Sequence, residues 1–160
     1  MPERIVIRRE SPDQPDLAAL LSGLDRYLQS LYPPEANHIL DLEALLAPEV
    51  TFFVARDGQQ AVATGAFRRM PGSSETSGQA YGEIKRMVVD PARRGERIGA
   101  RVLAALEDAL RAEGYKLALL ETGRQQVEAV KLYERCGYLP RAPFGGYPDN
   151  GLSVFYAKAL

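Results

Sequence analysis

Tryptophan is absent from this 160-residue sequence, and cysteine and histidine occur once each, as Cys136 and His38. A lone cysteine closes no intrachain disulfide, so the expected setting is the reducing cytoplasm. One His and one Cys also leave a conventional zinc site short of ligands, and no metal is expected. Excess charge of one sign is missing too, with 20 basic residues against 21 acidic. That balance provides no broad attraction to nucleic acid or to an anionic membrane. Long apolar runs are lacking: the stretch at 17–24 lies between Asp16 and Asp25 and is far too short to span a bilayer. Glu3, Arg4, Arg8, Arg9 and Glu10 leave no room for an apolar signal-peptide core.

What is present reads as one α+β domain over residues 1–160, since 46% hydrophobic and 26% charged residues suit an ordinary globular core. RIVIRR at 4–9 alternates as a first strand. Capping residues at 13–16 precede Leu17, Leu20, Leu21, Leu24 and Leu28 at helical spacing, and Pro33-Pro34 ends that helix. A short helix is predicted at 41–47. VTFFVA at 50–55, Asp57-Gly58 and the apolar run at 61–67 form a hairpin. The polar 71–79 loop is expected to be flexible by composition. Strands follow at 81–89, 117–120 and 152–157, with helices beginning near Ile98 and spanning 125–135.

The segment richest in chemistry runs from the 81–89 strand through Asp90-Pro91 into Arg93, Arg94, Gly95, Glu96, Arg97, Ile98, Gly99 and Ala100. A glycine-bearing turn that opens a helix exposes N–H groups without intrahelical partners, at the positive end of the helix dipole. Such a turn binds phosphate, and Arg93, Arg94 and Arg97 add charge. No Lys-Ser or Lys-Thr follows the second glycine, which excludes a Walker A loop, and the Rossmann glycine spacing is not met. On these residues alone the segment is either a phosphate site or a basic helix start.

Here the sequence resembles the GNAT N-acetyltransferase superfamily, whose main motif reads Arg/Gln-x-x-Gly-x-Gly/Ala after a strand. Arg94, Arg97 and Gly99 fall on its three specified positions, Arg97 standing where the family usually has glycine. Ala129, Leu132, Tyr133, Gly137 and Tyr138 match the downstream A-x-x-L-Y-x-x-x-G-F/Y pattern, and Gln126 stands where asparagine is frequent. The likeness covers roughly residues 83–138. It extends to a subgroup of small bacterial members through Pro33-Pro34-Glu35 with His38, Gly82-Glu83-Ile84-Lys85 and Glu121-Thr122-Gly123.

The resemblance implies a mixed, largely antiparallel sheet, splayed between its fourth and fifth strands and flanked by helices. It implies acetyl-CoA (or free coenzyme A) as ligand, with pantetheine along Met87, Val88 and Val89. The pyrophosphate would lie on Arg94, Gly95, Glu96, Arg97, Ile98, Gly99 and Ala100, with Gln126 nearby. It further implies direct attack by the acceptor amine on the thioester, without a covalent enzyme intermediate.

Direct attack needs a neutral amine, and an alkylamine of pKa about 10.4 costs about 4–5 kcal/mol to present as free base at neutral pH. Glu83 is the candidate base, eleven positions before Arg94, an interval shared with the histone-acetyltransferase branch. The competing reading is a strand carboxylate paired with Lys85 on the same face. Tyr133 is the candidate acid toward the coenzyme A thiolate, against a purely packing ring. His38 and Tyr147 are candidate acceptor-side residues, against surface and turn roles. The expected reaction is acetyl transfer to a small-molecule amine. A catalytically silent acyl-CoA-binding module and a protein lysine or N-terminal acetyltransferase are the alternatives, and a homodimer is left open.

Overall fold

The computed structural model describes residues 4–34 and 40–160. The chain runs β1 (Ile5–Arg9), α1 (Pro15–Leu31), α2 (Leu42–Leu45), β2 (Val50–Asp57), β3 (Gln60–Met70), β4 (Tyr81–Val89), α3 (Ile98–Ala112), β5 (Leu117–Gly123), α4 (Val127–Arg135), β6 (Leu139–Arg141) and β7 (Ser153–Ala159). Its strands form one sheet in the order β1-β2-β3-β4-β5-β7-β6. Every neighbouring pair is antiparallel except β4–β5, which is parallel because α3 crosses over between them. The expected mixed sheet with flanking helices is thus the architecture found.

Helices cover both faces, which explains why VTFFVA reads as an unbroken apolar run rather than an alternating one. Phe53 and Ala55 face Val102, Leu103, Leu106 and Leu110 of α3 in the larger core, whereas Phe52 and Val54 face Leu17, Leu21 and Leu45 of α1 and α2. Each α3 leucine is fully buried and contributes about 1.5–3 kcal/mol of burial free energy. A third cluster joins Tyr81, Leu119, Phe144 and Phe155 beneath the loop that precedes β7.

Four local readings need correcting. The N-cap of α1 is Gln14, with no side-chain cap, because Asp16 and Glu10 are drawn onto Arg56 instead. β5 continues three residues past Leu120, since Glu121, Thr122 and Gly123 pair with β7 despite their polarity. β6 is a short strand not expected from its sequence, as Leu-Pro-Arg carries neither length nor alternation. The 71–79 loop is tied down: Thr76 is buried, accepts from the Ser73 amide at 3.0 Å and donates to the Gln79 carbonyl at 2.8 Å. Glu75 then accepts from the Gly145 amide at 2.8 Å, fastening this loop to the one before β7.

Among the described residues, no helix is long and apolar enough to cross a membrane, and no group of three His, Cys, Asp or Glu is placed to hold a metal ion.

Candidate active site

β4 and β5 pair only at Gly82–Ala118 and Glu83–Leu119. Beyond those two rungs they separate, so among the described residues the β5-facing edge of β4 has no ladder partner from Ile84 onward. A one-residue register shift against β3 falls in the same stretch. Arg86 adopts a left-handed backbone there (φ 55°), and its carbonyl accepts from Thr64 Oγ1 at 2.9 Å. A bulge of this kind bends its strand locally and re-aims the flanking side chains. The resulting cavity measures about 90 Å3, walled by Lys85, Arg86 and Met87 on one side and by Glu121, Thr122 and Gly123 on the other.

Two packing details close the inner end. Gly123 has no room for a side chain, because an added Cβ would meet the Tyr32 hydroxyl at 1.9 Å. The Tyr32 ring thus lies against β5, and its hydroxyl accepts from the Gln125 amide at 2.9 Å at the start of α4. Gln126, the N-cap of α4, and Tyr133 within that helix also line the cavity. Tyr133 is 6% exposed and stacks edge-on against Tyr138 at 5.9 Å. Burial, followed by the nearby Glu121 charge, raises its phenol pKa, so the hydroxyl keeps its proton.

Past β4, Asp90 caps a 3-10 turn at Pro91–Arg93 by accepting from the Ala92 amide at 3.0 Å. Gly95 (φ 89°) and Arg97 (φ 62°) then turn the chain through left-handed conformations into α3. Arg97 is the N-cap and supplies no side-chain cap, so its side chain leaves the first amides of α3 at Ile98, Gly99 and Ala100 uncapped at the positive helix end. Gly99 lets this end sit low: a Cβ there would lie 3.2 Å from Leu132 of α4 and 3.4 Å from Val89 of β4. Arg93 does not add free charge, contrary to the reading above, because Glu96 at 2.9 Å and Asp57 at 3.0 Å hold its guanidinium. Arg94 and Arg97 remain exposed.

Glu83 is 1% exposed and lies at the last paired rung. Arg68 donates to its Oε1 at 2.9 Å, the Tyr147 hydroxyl donates to Oε2 at 2.5 Å, and Lys85 Nζ lies 3.5 Å from Oε2. Lys85 also donates to the Tyr147 hydroxyl at 2.6 Å. Burial lowers the Lys85 pKa, with Glu83 opposing, and burial beside Glu83 raises that of Tyr147. The same-face pairing of Glu83 and Lys85 read from strand period is therefore present, inside a larger network.

Met87, Gln126 and Tyr133 line the cavity, while Val88 turns to the α1 side and Val89 packs beside α3. Glu83 and Tyr147 lie behind Lys85, and Arg94 to Ala100 form the mouth of α3. His38 lies outside the described residues. The reading missed Glu121, which lines the cavity and accepts from Ser153 Oγ at 2.7 Å. It also missed Arg68, which donates to Glu83 Oε1 at 2.9 Å. For Glu121 a signal existed, since a carboxylate that extends a central apolar strand needs a polar cavity to face.

The model of the acetyltransferase (GNAT) family matches residues 17–138. An IAA acetyltransferase of Azospirillum brasilense is 45% identical over 156 residues, covering 98% of both chains. A solved Klebsiella pneumoniae protein, assigned to the acyl-CoA N-acyltransferases, superposes with TM-score 0.78 at 34% identity, over 98% of this chain and 97% of that one. The paiA N-acetyltransferase of Thermoplasma acidophilum, solved with coenzyme A, superposes with TM-score 0.71 over 98% of this chain and 99% of that one, at 15% identity. A parallel strand pair that opens after two rungs, an uncapped basic helix mouth at its end and a buried tyrosine across the gap thus have their explanation: the chain belongs to the GNAT family of acetyl-CoA-dependent N-acetyltransferases.

Proposed function

We propose that this domain, spanning residues 1–160, transfers the acetyl group of acetyl-CoA to the amine of a small molecule by direct attack in a ternary complex. The observation that carries the reading is the splay itself. It opens an unpaired strand edge beside Met87, leads outward to the uncapped amides at Ile98, Gly99 and Ala100, and places the Tyr133 phenol across the gap. An unpaired edge suits the amides of pantetheine, and a helix mouth flanked by Arg94 and Arg97 suits a diphosphate. At about 90 Å3 the cavity has several times the room one water needs, which suits a small organic acceptor.

Acetyl-CoA supplies an activated thioester: a C–N bond forms, the C–S bond breaks, and the amine loses one proton. Tyr133 stays protonated and hydrogen-bonds the departing sulfur as negative charge develops there. A backbone N–H of β4 near Met87 polarises the thioester oxygen. Glu83 takes up the amine proton through Lys85 and the Tyr147 hydroxyl, a hydrogen-bonded pair that links it to the cavity. A cytoplasmic enzyme with a reduced Cys136, engaging neither nucleic acid nor membrane, completes the proposal. Coenzyme A release over a panel of amines tests it, with Glu83→Gln expected to lower kcat by roughly a hundredfold. Binding of acetyl-CoA with no turnover of any amine would instead support a silent acyl-CoA-binding module.

A further inference from the structure

Glu107 interrupts the apolar stripe of α3 formed by Leu103, Leu106 and Leu110, and it is 4% exposed. Burying a carboxylate in such surroundings is costly unless its oxygens are engaged. Both are: the Tyr138 hydroxyl donates to Oε2 at 2.9 Å, and Lys158 Nζ of β7 donates to Oε1 at 3.0 Å. Lys158 Nζ also lies 5.7 Å from the centre of the Tyr138 ring, and Tyr138 is itself buried. None of the three lines the β4–β5 cavity.

What this bridge fixes is the end of α4. That helix has nine residues, no side-chain N-cap and one buried residue, Tyr133. A helix so short has little stability of its own, so its placement follows from its tertiary contacts. Its C-terminus closes in a Schellman motif. The Tyr138 N–H donates to the Tyr133 carbonyl at 3.0 Å and the Gly137 N–H to the Glu134 carbonyl at 3.1 Å, with Gly137 at φ 93°. The rings of the same two tyrosines meet at 5.9 Å. Tyr138 thus holds Tyr133 through backbone and ring together, and Glu107 ties Tyr138 to α3.

We infer that Glu107 and Tyr138 are positioning residues, which with Lys158 brace α4 against α3 and so place the Tyr133 phenol at the coenzyme A sulfur. The inference rests on the reading of Tyr133 as the acid toward that sulfur. The helix whose mouth is the proposed diphosphate site then also sets the place of the phenol, so both ends of the donor are registered against one element. Such registration matters because a hydrogen bond weakens steeply with misalignment.

Calorimetry with two probes, coenzyme A and desulfo-coenzyme A, reads the contact between phenol and sulfur without any acceptor amine. The unmodified protein should bind coenzyme A the more tightly, and Tyr133→Phe should shrink that ratio by roughly threefold to tenfold, the worth of one hydrogen bond. Tyr138→Phe keeps the ring on Tyr133 and removes the bond to Glu107. It should shrink the ratio by at least about twofold, and should change it no further when added to Tyr133→Phe. Glu107→Met should match Tyr138→Phe, which decides alone if Glu107→Met does not fold. A ratio in Tyr138→Phe equal to that of the unmodified protein, or a further loss in the double variant, would make the bridge purely structural and overturn the inference, leaving Tyr133 as the acid. A ratio that Tyr133→Phe leaves unchanged would overturn the reading of Tyr133, and this inference with it.

Discussion

The Tyr147 hydroxyl donates to Glu83 at 2.5 Å while accepting from Lys85 at 2.6 Å, across more than sixty positions of chain. Glu83 is 1% exposed, so every donor to its carboxylate replaces water that burial has removed. The Tyr147→Phe variant keeps the ring on Phe144 and Phe155 and removes the hydroxyl that donates to Glu83 and accepts from Lys85. We expect it to destabilise the protein by about 2 kcal/mol, or roughly 4–8 °C in Tm for a chain of this size. It should also lower kcat by about tenfold if the hydroxyl relays the amine proton. Calorimetry with steady-state kinetics decides: an unchanged Tm would mean that the Glu83 carboxylate is satisfied without Tyr147.

Tyr133 is expected to act on kcat rather than on donor binding. Tyr133→Phe should reduce kcat by about a hundredfold and change the KM for acetyl-CoA by less than about threefold. Burial raises the phenol pKa, so the acid form persists to higher pH than for a free tyrosine. An alkaline limb of kcat below about pH 10 should therefore be the same in enzyme and variant. A limb in that range that disappears in Tyr133→Phe would assign the titration to this phenol and contradict the assignment of its charge state.

The parts of the fold that could be read from sequence are those with a strong period or firm boundaries. β4 and α3 are legible because a strand closed by Asp90-Pro91 and an apolar stripe ended by Gly114 leave little choice. What escaped notice depends on partners distant in sequence. β6 is a strand only because β7 pairs with Leu139, Pro140 and Arg141. The Arg86 bulge has no local mark, since a non-glycine residue at φ 55° is held by Thr64 of the neighbouring strand. The site divides the same way. The helix mouth is one contiguous segment and could be found by its glycines and arginines. The polar network draws Arg68, Glu83, Lys85 and Tyr147 from three separate segments, and its charge balance is visible only in three dimensions.

Arg97 illustrates a local choice that opposes backbone preference. At φ 62° and ψ 24° it holds a left-handed conformation that disfavours a Cβ by roughly 1–2 kcal/mol, while glycine adopts it freely. Arg97→Gly regains this, less the added entropy of the unfolded chain, so a net gain of about 0.5–1 kcal/mol and a Tm higher by roughly 1–4 °C are expected. The same change removes one exposed cation from the helix mouth. The KM for acetyl-CoA should then rise by roughly two- to fivefold at low ionic strength, and by less in high salt. A variant that melts higher and binds acetyl-CoA equally well at low salt would show that the Arg97 side chain does not meet the phosphates.

Arg56 offers a separate check through stability at acid pH. It donates to Glu10 at 2.9 Å and to Asp16 at 2.8 Å, and these hydrogen bonds hold both carboxyl pKa values below their ordinary 4.5 and 3.8. A carboxyl group whose pKa is lower folded than unfolded stabilises the fold above the unfolded value and loses that contribution as pH falls through the folded one. Asp16 is about half exposed, so solvent screening limits the two pairs together to about 1 kcal/mol. Urea unfolding at pH 7 and pH 3 should therefore find Arg56→Met destabilised at pH 7 and nearer to the unmodified protein at pH 3. Some difference must remain at pH 3, because Arg56 also donates to the Gln59 carbonyl at 2.7 Å and to Gln14 Oε1 at 3.2 Å, bonds that do not titrate. Equal destabilisation at the two pH values would assign the whole role of Arg56 to these uncharged partners and to packing.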